Sequence, residues 1–303
     1  MPDGKTARSK SMSDLSKLKR PSGGFAMLAI DQREALREMM SKSSKGRTIS
    51  DEEVIDFKLN AGRKLTPYAS AVLIDNQFAL QRAVEEQIID PACALIASGD
   101  LFIPAHDELV GEVEIDPDIT PEQAKALGAV AQKLLVIWRA DQPAEGRIDL
   151  VRRFVEGCHQ ANIVAIIEPV CKKPVDPAVE WDPDEAIVLA AEELGALGAD
   201  LYKGQVPTGG KGSDERMREL YARMNAAIDS EWVILSSGVA EADFPRAIEL
   251  AVAEGASGFL AGRAVWASCL DADDVNVCLE TAAAARLQAM GAIVDKAMEE
   301  RSK

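Results

Sequence analysis

The sequence predicts a (β/α)8 barrel, and three observations carry that expectation. Eight short apolar runs rich in β-branched residues recur along the 303 residues, each followed by a polar turn. The runs are nearly continuous in their apolarity, which suits parallel strands buried on both faces. Amphipathic segments with helix start and stop signals separate most of them, and strand–helix alternation repeated eight times reads as a closed barrel. An open doubly wound sheet is the runner-up. It is weaker, because no Gly-x-Gly-x-x-Gly follows the first strand.

The predicted strands, in order, are Phe25–Ile30, Ser70–Ile74, Cys93–Ala97, Leu134–Trp138, Ile163–Ile167, Asp200–Tyr202, Trp232–Leu235 and Gly258–Ala261. Among the helices, Ser50-Asp51-Glu52-Glu53 opens a run through Leu65 that Pro67 stops. Asp182-Pro183-Asp184-Glu185 opens one that ends at Gly195 and Gly198. A third, Ala242 to Ala253, is closed by Gly255. Each start carries an N-cap oxygen or first-turn acid, and each stop a glycine or proline. Asn276–Arg301 is the expected last outer helix. The segment Gly99–Gly128 holds Pro104, Pro117, Pro121 and eight acidic residues, and reads as a long solvated loop with a short helix at its end. Such an insertion often lies over the active-site face of a barrel. Residues 1–21 read as a flexible basic arm and 22–303 as a single barrel domain.

Composition excludes several function classes. Hydrophobic residues make up 47% of the chain, enough for a proper core, and the net charge of −16 argues against nucleic-acid binding, which needs a basic face. That same charge repels anionic ligands, so a phosphate must be held by local groups. The five cysteines are odd in number and include no Cys-x-x-Cys pair, so no disulfide scaffold is expected and a reducing, cytoplasmic location is. Residues 1–20 lack the apolar stretch of a secretory signal, and no run reads as long enough to span a bilayer, so no membrane partner is expected.

On a barrel, functional groups sit where strands end. Strand 1 ends in Asp31-Gln32-Arg33, strand 2 in Asp75, strand 5 in Glu168 and strand 8 in Gly262-Arg263. Strand 4 starts at Lys133 and ends at Arg139, and strand 7 ends in Ser236-Ser237-Gly238. Lys203 follows Ala199-Asp200-Leu201-Tyr202, so it stands desolvated among apolar neighbours. That environment favours a neutral, nucleophilic amine, the more so beside another cation such as Lys133. An ion pair with Asp31 or Glu168 is the plain structural alternative. Glu168 is placed to shuttle protons for carbonyl chemistry or to pair with Lys203 or Lys133. Asp31 is placed to bind substrate hydroxyls or to cap the following helix. Ser236, Ser237, Gly238, Gly262 and Arg263 occupy the two strand ends where many barrels bind phosphate.

Metal chemistry has little footing. His106 and His159 are the only histidines, too few for a zinc site of the usual kind, although Asp31, Asp75 and Glu168 at the mouth leave room for Mg²⁺. No cofactor is expected.

Ser22 through Arg33, Asp200-Leu201-Tyr202-Lys203, Trp232–Val239 and Gly255–Trp266 resemble the class I aldolases of the tagatose-1,6-bisphosphate type, and among these the sulfofructosephosphate aldolases. The resemblance runs from about residue 22 to the end of the chain. It implies a Schiff base on Lys203, Glu168 as general acid and base, and Asp31, Gln32 and Lys133 around the substrate. It also implies phosphate held by Ser236 or Ser237, Gly262 and Arg263. The reaction implied is reversible cleavage of 6-deoxy-6-sulfofructose 1-phosphate to dihydroxyacetone phosphate and 3-sulfolactaldehyde. Tagatose 1,6-bisphosphate is the alternative substrate, a non-catalytic phosphosugar sensor the alternative role, and a homo-oligomer the expected assembly.

Overall fold

The computed structural model describes residues 14–301. Its strands are β1 (Phe25–Ala29), β2 (Ala71–Ile74), β3 (Ala94–Ser98), β4 (Asp100–Ala105), β5 (Glu108–Ile115), β6 (Ala129–Trp138), β7 (Val164–Cys171), β8 (Leu201–Gly204), β9 (Glu231–Ile234) and β10 (Gly258–Ala261). Eight of them close a parallel barrel in the order β1-β10-β9-β8-β7-β6-β3-β2, while β4 and β5 pair separately as an antiparallel hairpin. The barrel therefore stands as the sequence predicts.

Strand periodicity divides the core in two. Phe25, Met27, Ala71, Leu73, Ile96, Ala131, Ile166, Leu201, Val233 and Leu260 point inward and fill the barrel. Alternate residues such as Ala26, Leu28, Val72 and Ile74 point outward against the helices. The same period continues upward: Lys133 lies two residues past Ala131, Glu168 two past Ile166, and Lys203 two past Leu201. Polar side chains at these positions must stand on the interior apolar layers, at the barrel's C-terminal end. The outer helices start as their caps require. Asp51–Leu65 opens on a reciprocal Ser50–Glu53 capping box, and Pro183–Leu194 on the Asp182 carboxylate.

Five expectations need correction. Strand β6 begins at Ala129, so Lys133 sits in mid-strand and not at its start. The segment 99–128 is not a loop: its alternating residues form the β4–β5 hairpin, turned by His106 and Asp107 with φ of 56° and 57°, and only its short helix, Pro121–Ala126, was foreseen. Two left-handed residues match the twist of a two-residue hairpin. Residues 1–13 of the expected arm lie outside the described residues, but from Asp14 the chain is docked. Leu15 and Leu18 are buried against the inward-facing core residues, and Lys19 and Arg20 pair with Glu231 and Asp295. Cys269 and Cys278 are joined as a disulfide with a Cα–Cα separation of 5.3 Å, a bridge their spacing did not announce. Finally, the 27 residues Val275–Arg301 are long and apolar enough, by length and composition, to cross a membrane. Here they pack as the last outer helix, burying Leu287, Met290 and Val294.

Candidate active site

A cavity of about 380 Å³ opens at the C-terminal end of the barrel. Its wall includes Asp31, Gln32, Glu168, Lys203, Ser236, Ser237, Gly262 and Arg263, so eight of the ten predicted site residues meet in one place. Gly238 lies outside that lining, in the turn after β9, where its φ of 81° suits glycine. Lys133 also lies outside it, fully buried, with two of its partners, Asp31 and Glu168, in the lining.

The centre is a charge cluster. Lys203 Nζ stands 2.9 Å from a Glu168 carboxylate oxygen. Lys133 Nζ contacts three carboxylates: Asp100 at 2.7 Å, Asp31 at 2.8 Å and Glu168 at 3.2 Å. Burial disfavours the Lys133 ammonium, but Asp100, Asp31 and Glu168 together outweigh that cost and raise its pKa well above the ordinary lysine value. Asp31 shows the complementary balance. Burial pushes its carboxyl up, and Lys133, Lys203 and Lys58 pull it further down, well below the usual carboxylate range. Lys133 is thus a fixed cation paired with Asp31, a fixed anion, beside the Lys203–Glu168 pair. The ion pair with Glu168 is present, and Lys203 also lines the cavity.

One end of the cavity gathers Arg263 with the hydroxyls of Ser236 and Ser237. Arg263 donates through Nη2 to Ser237 Oγ, and the Ala264 N–H donates to Ser236 Oγ at 3.3 Å. Burial lowers the Arg263 pKa, with Glu168 and Asp31 opposing, so the guanidinium is short of anionic company. Gly262 permits this closeness: a Cβ there would lie 2.5 Å from the Ala29 carbonyl oxygen. Near the centre, Gln32 donates to Asp31 at 3.3 Å while its own Oε1 is buried without a hydrogen-bond partner. A substrate hydroxyl would satisfy that acceptor.

The other end belongs to the hairpin. Phe102, Pro104, Leu109 and Val110 line it, facing Ile137, Val170 and Lys172 of the barrel. Lys172 Nζ reaches Glu108 at 2.5 Å and donates to the Val110 carbonyl at 2.8 Å. Arg139 lies 2.9 Å from the other Glu108 oxygen. Sequence reasoning allowed for this insertion over the active-site face, and for Arg33, Arg139 and Lys172 near the mouth, but read the segment as a solvated loop and missed Asp100, which sits at the hairpin's root. The available signal was the polar–apolar alternation of Glu112-Val113-Glu114-Ile115, preceded by the apolar run Leu101-Phe102-Ile103. Asp75, offered above for the mouth, instead pairs with Lys58 away from the cavity. Among the described residues no three His, Cys, Asp or Glu side chains are grouped to hold a metal ion.

The model of the DeoC/LacD aldolase family matches residues 25–268. The chain belongs to that family. It is therefore an aldolase, a carbon–carbon lyase on a barrel scaffold. Tagatose 1,6-diphosphate aldolase of Listeria monocytogenes serotype 4a (strain HCC23) is 26% identical over 288 residues, covering 85% of this chain and 81% of that protein. Tagatose 1,6-diphosphate aldolase 1 of Enterococcus faecalis (strain ATCC 700802 / V583) is 26% identical over 268 residues, covering 81% and 80%. Among solved structures, fructose-bisphosphate aldolase from Plasmodium falciparum superposes with a TM-score of 0.66 at 16% identity, covering 92% of each chain. An archaeal fructose-1,6-bisphosphate aldolase, solved with its catalytic lysine bound to the carbinolamine intermediate, superposes with a TM-score of 0.59 at 16% identity, covering 93% of this chain and 98% of that one. At such identities these two structures speak to the fold of this aldolase alone.

Proposed function

We propose that this aldolase cleaves 6-deoxy-6-sulfofructose 1-phosphate to dihydroxyacetone phosphate and 3-sulfolactaldehyde through a Schiff base on Lys203. The observation that carries the chemistry is the Lys203–Glu168 contact of 2.9 Å inside the cavity, beside the buried Lys133. Glu168 takes the ammonium proton, and the free amine attacks C2 of the ketose. The proton then returns to the carbinolamine oxygen, which leaves as water to give the iminium ion. With the 1-phosphate on Arg263 and Ser237, Glu168 accepts the C4 hydroxyl proton. The C3–C4 bond breaks, and its electron pair moves into the iminium to form an enamine. The aldehyde departs, C3 is reprotonated, and water releases dihydroxyacetone phosphate from Lys203. Asp31 and Gln32 bind the hydroxyls along the chain.

The aldehyde end supports a sulfonate. Its cations are already matched, Arg33 by Asp100 and Arg139 by Glu108, and Lys172 shares Glu108 on an otherwise largely apolar wall. A sulfonate carries one charge, whereas a phosphate monoester approaches two at neutral pH, so the sparser seat suits the former. Tagatose 1,6-bisphosphate is the second reading, favoured by the names of the Listeria and Enterococcus relatives.

Borohydride added with dihydroxyacetone phosphate is expected to inactivate the protein and leave one reduced adduct on Lys203. Lys203→Arg is expected to fold and yet lose about 10⁴-fold or more in kcat, because a guanidinium stays protonated. An adduct on another lysine, or none, removes the mechanism. A kcat/KM that favours tagatose bisphosphate over sulfofructose phosphate by tenfold, about 1.4 kcal/mol, removes the sulfonate and leaves Lys203 standing.

A further inference from the structure

We propose that Asp100, at the root of the hairpin, is a positioning residue for the reaction: it holds the Lys133 ammonium in place between Asp31 and Glu168. The proposal rests on the reading of Lys203 as nucleophile. Asp100 is fully buried at the start of β4, where an unmatched carboxylate would be costly. Every direction around it is filled. Oδ2 lies 2.7 Å from Lys133 Nζ and accepts the Leu135 N–H at 2.9 Å. Oδ1 accepts from Arg33 Nη2 and from Ser98 Oγ, both at 2.7 Å. The Arg33 guanidinium also donates to the Asp100 carbonyl and stacks 4.0 Å above the Phe102 ring. The carboxylate is therefore pinned from β3, β6 and the chain after β1 at once.

That pinning acts on Lys203 through Lys133. The groups facing Lys133 are Asp31 after β1, Asp100 on β4 and Glu168 on β7, and Lys203 on β8 shares Glu168 with it. Without Asp100, the ammonium would have only the two carboxylates that also face the substrate. It would then be drawn toward whichever was charged, and would compete with Lys203 for Glu168. With Asp100 in place, a rigid third partner fixes the ammonium on the side away from the cavity. Glu168 is left free to trade its proton with Lys203.

The sign of the pH effect follows. Asp100→Asn removes one negative charge and leaves a positive one, so the local potential rises. A more positive potential favours proton loss from Lys203 and ionisation of Glu168. Trapping by borohydride with dihydroxyacetone phosphate should reach half its maximum about one pH unit lower in Asp100→Asn than in the parent. Its kcat should fall about tenfold or more, with KM for the ketose phosphate within about threefold, since the Arg263 end is untouched. Asp100→Glu keeps the charge but displaces the ammonium, so it should restore the pH midpoint while remaining slow.

Parent kcat and an unmoved midpoint in Asp100→Asn would overturn the proposal. So would an equal loss in kcat and KM with no pH shift, which would make Asp100 a hairpin anchor only. If Asp100→Asn does not fold, Asp100→Glu decides: slow turnover at an unchanged midpoint supports the proposal, and parental turnover overturns it. A parent enzyme that shows no adduct on Lys203 at all defeats the underlying mechanism instead, and is read separately.

Discussion

Lys58 and Lys133 are both stripped of water, both pair with aspartate, and both are reached from strand ends of the same barrel. Their surroundings differ in number. Lys58 has one carboxylate, Asp75, plus the Ile30 carbonyl at 2.9 Å, and the second Asp75 oxygen is taken by the Phe78 N–H. Lys133 has three carboxylates, two of which face the cavity. Burial is the largest influence on both lysines. It prevails at Lys58, whose pKa is lowered despite Asp75, and it is overcome at Lys133, whose pKa is raised. One pair is closed and joins the helix Asp51–Leu65 to β2. The other is over-supplied with anions and open on the side where chemistry is proposed. A buried lysine–carboxylate contact is thus no mark of an active site; the surplus of charge and its access to a cavity are.

Substitution separates the two most sharply. Lys133→Met should fold and lose about 10²–10³-fold in kcat, the range for removing one fixed electrostatic group from an active site. Lys58→Met should leave kcat per folded molecule unchanged but destabilise the protein by about 3–5 kcal/mol, because it strands the Asp75 charge in the interior. Thermal unfolding beside steady-state kinetics measures both. If Lys58→Met is inactive while as stable as the parent, the distinction between a structural and a functional lysine collapses.

The same contrast explains how much could be read before the fold was known. Residues that follow continuous apolar runs, such as Asp31, Glu168 and Lys203, were legible because strand period and barrel geometry together fix which residues stand on the interior core, even though β7 runs on past Glu168 to Cys171. Asp75 has the same local signature, and only the approach of Lys58 from a helix 17 residues earlier in sequence makes it structural. Asp100 was hidden for a different reason. It stands in an acidic, proline-containing stretch whose turn lacks the Asn-Gly or Asp-Gly pair that announces a hairpin. Lys133 was found by type and misplaced by four residues of strand, since Ala129–Gln132 interrupts the apolar pattern with Gln132. Its carboxamide is in fact used internally, donating to the Ile119 carbonyl at 2.7 Å.

A smaller effect is expected at Arg263. Partly buried, it is proposed to meet the 1-phosphate directly, and among the described residues its guanidinium donates to the Ser237 hydroxyl and not to a carboxylate. Arg263→Ala should weaken binding of the 1-phosphate by about 1.5–3 kcal/mol, the range for a hydrogen bond to a charged group. The loss should appear in KM and in the dihydroxyacetone phosphate concentration needed for trapping, with the Lys203 adduct still formed at saturation. Unchanged kinetics with a normal fold would move the phosphate elsewhere.

The smallest effect is expected at Lys172, and it tests the hairpin end on the same logic of surplus. Lys172 is only partly buried and already shares Glu108 with Arg139, so an incoming anion gains little by displacing that carboxylate. Exposed and pre-paired charges contribute modestly, so Lys172→Met should raise KM for sulfofructose phosphate about fivefold, near 1 kcal/mol. Trapping with dihydroxyacetone phosphate, which has no aldehyde half, should not change. Run in the synthetic direction, the variant should also treat an uncharged aldehyde such as glyceraldehyde as the parent does, because Phe102, Leu109 and Val110 still form the wall. A penalty of equal size for charged and uncharged aldehydes would mean that Lys172 braces the hairpin and does not meet the substrate. A penalty far above fivefold would mean that Glu108 swings away on binding and leaves Lys172 as undivided a cation as Arg263.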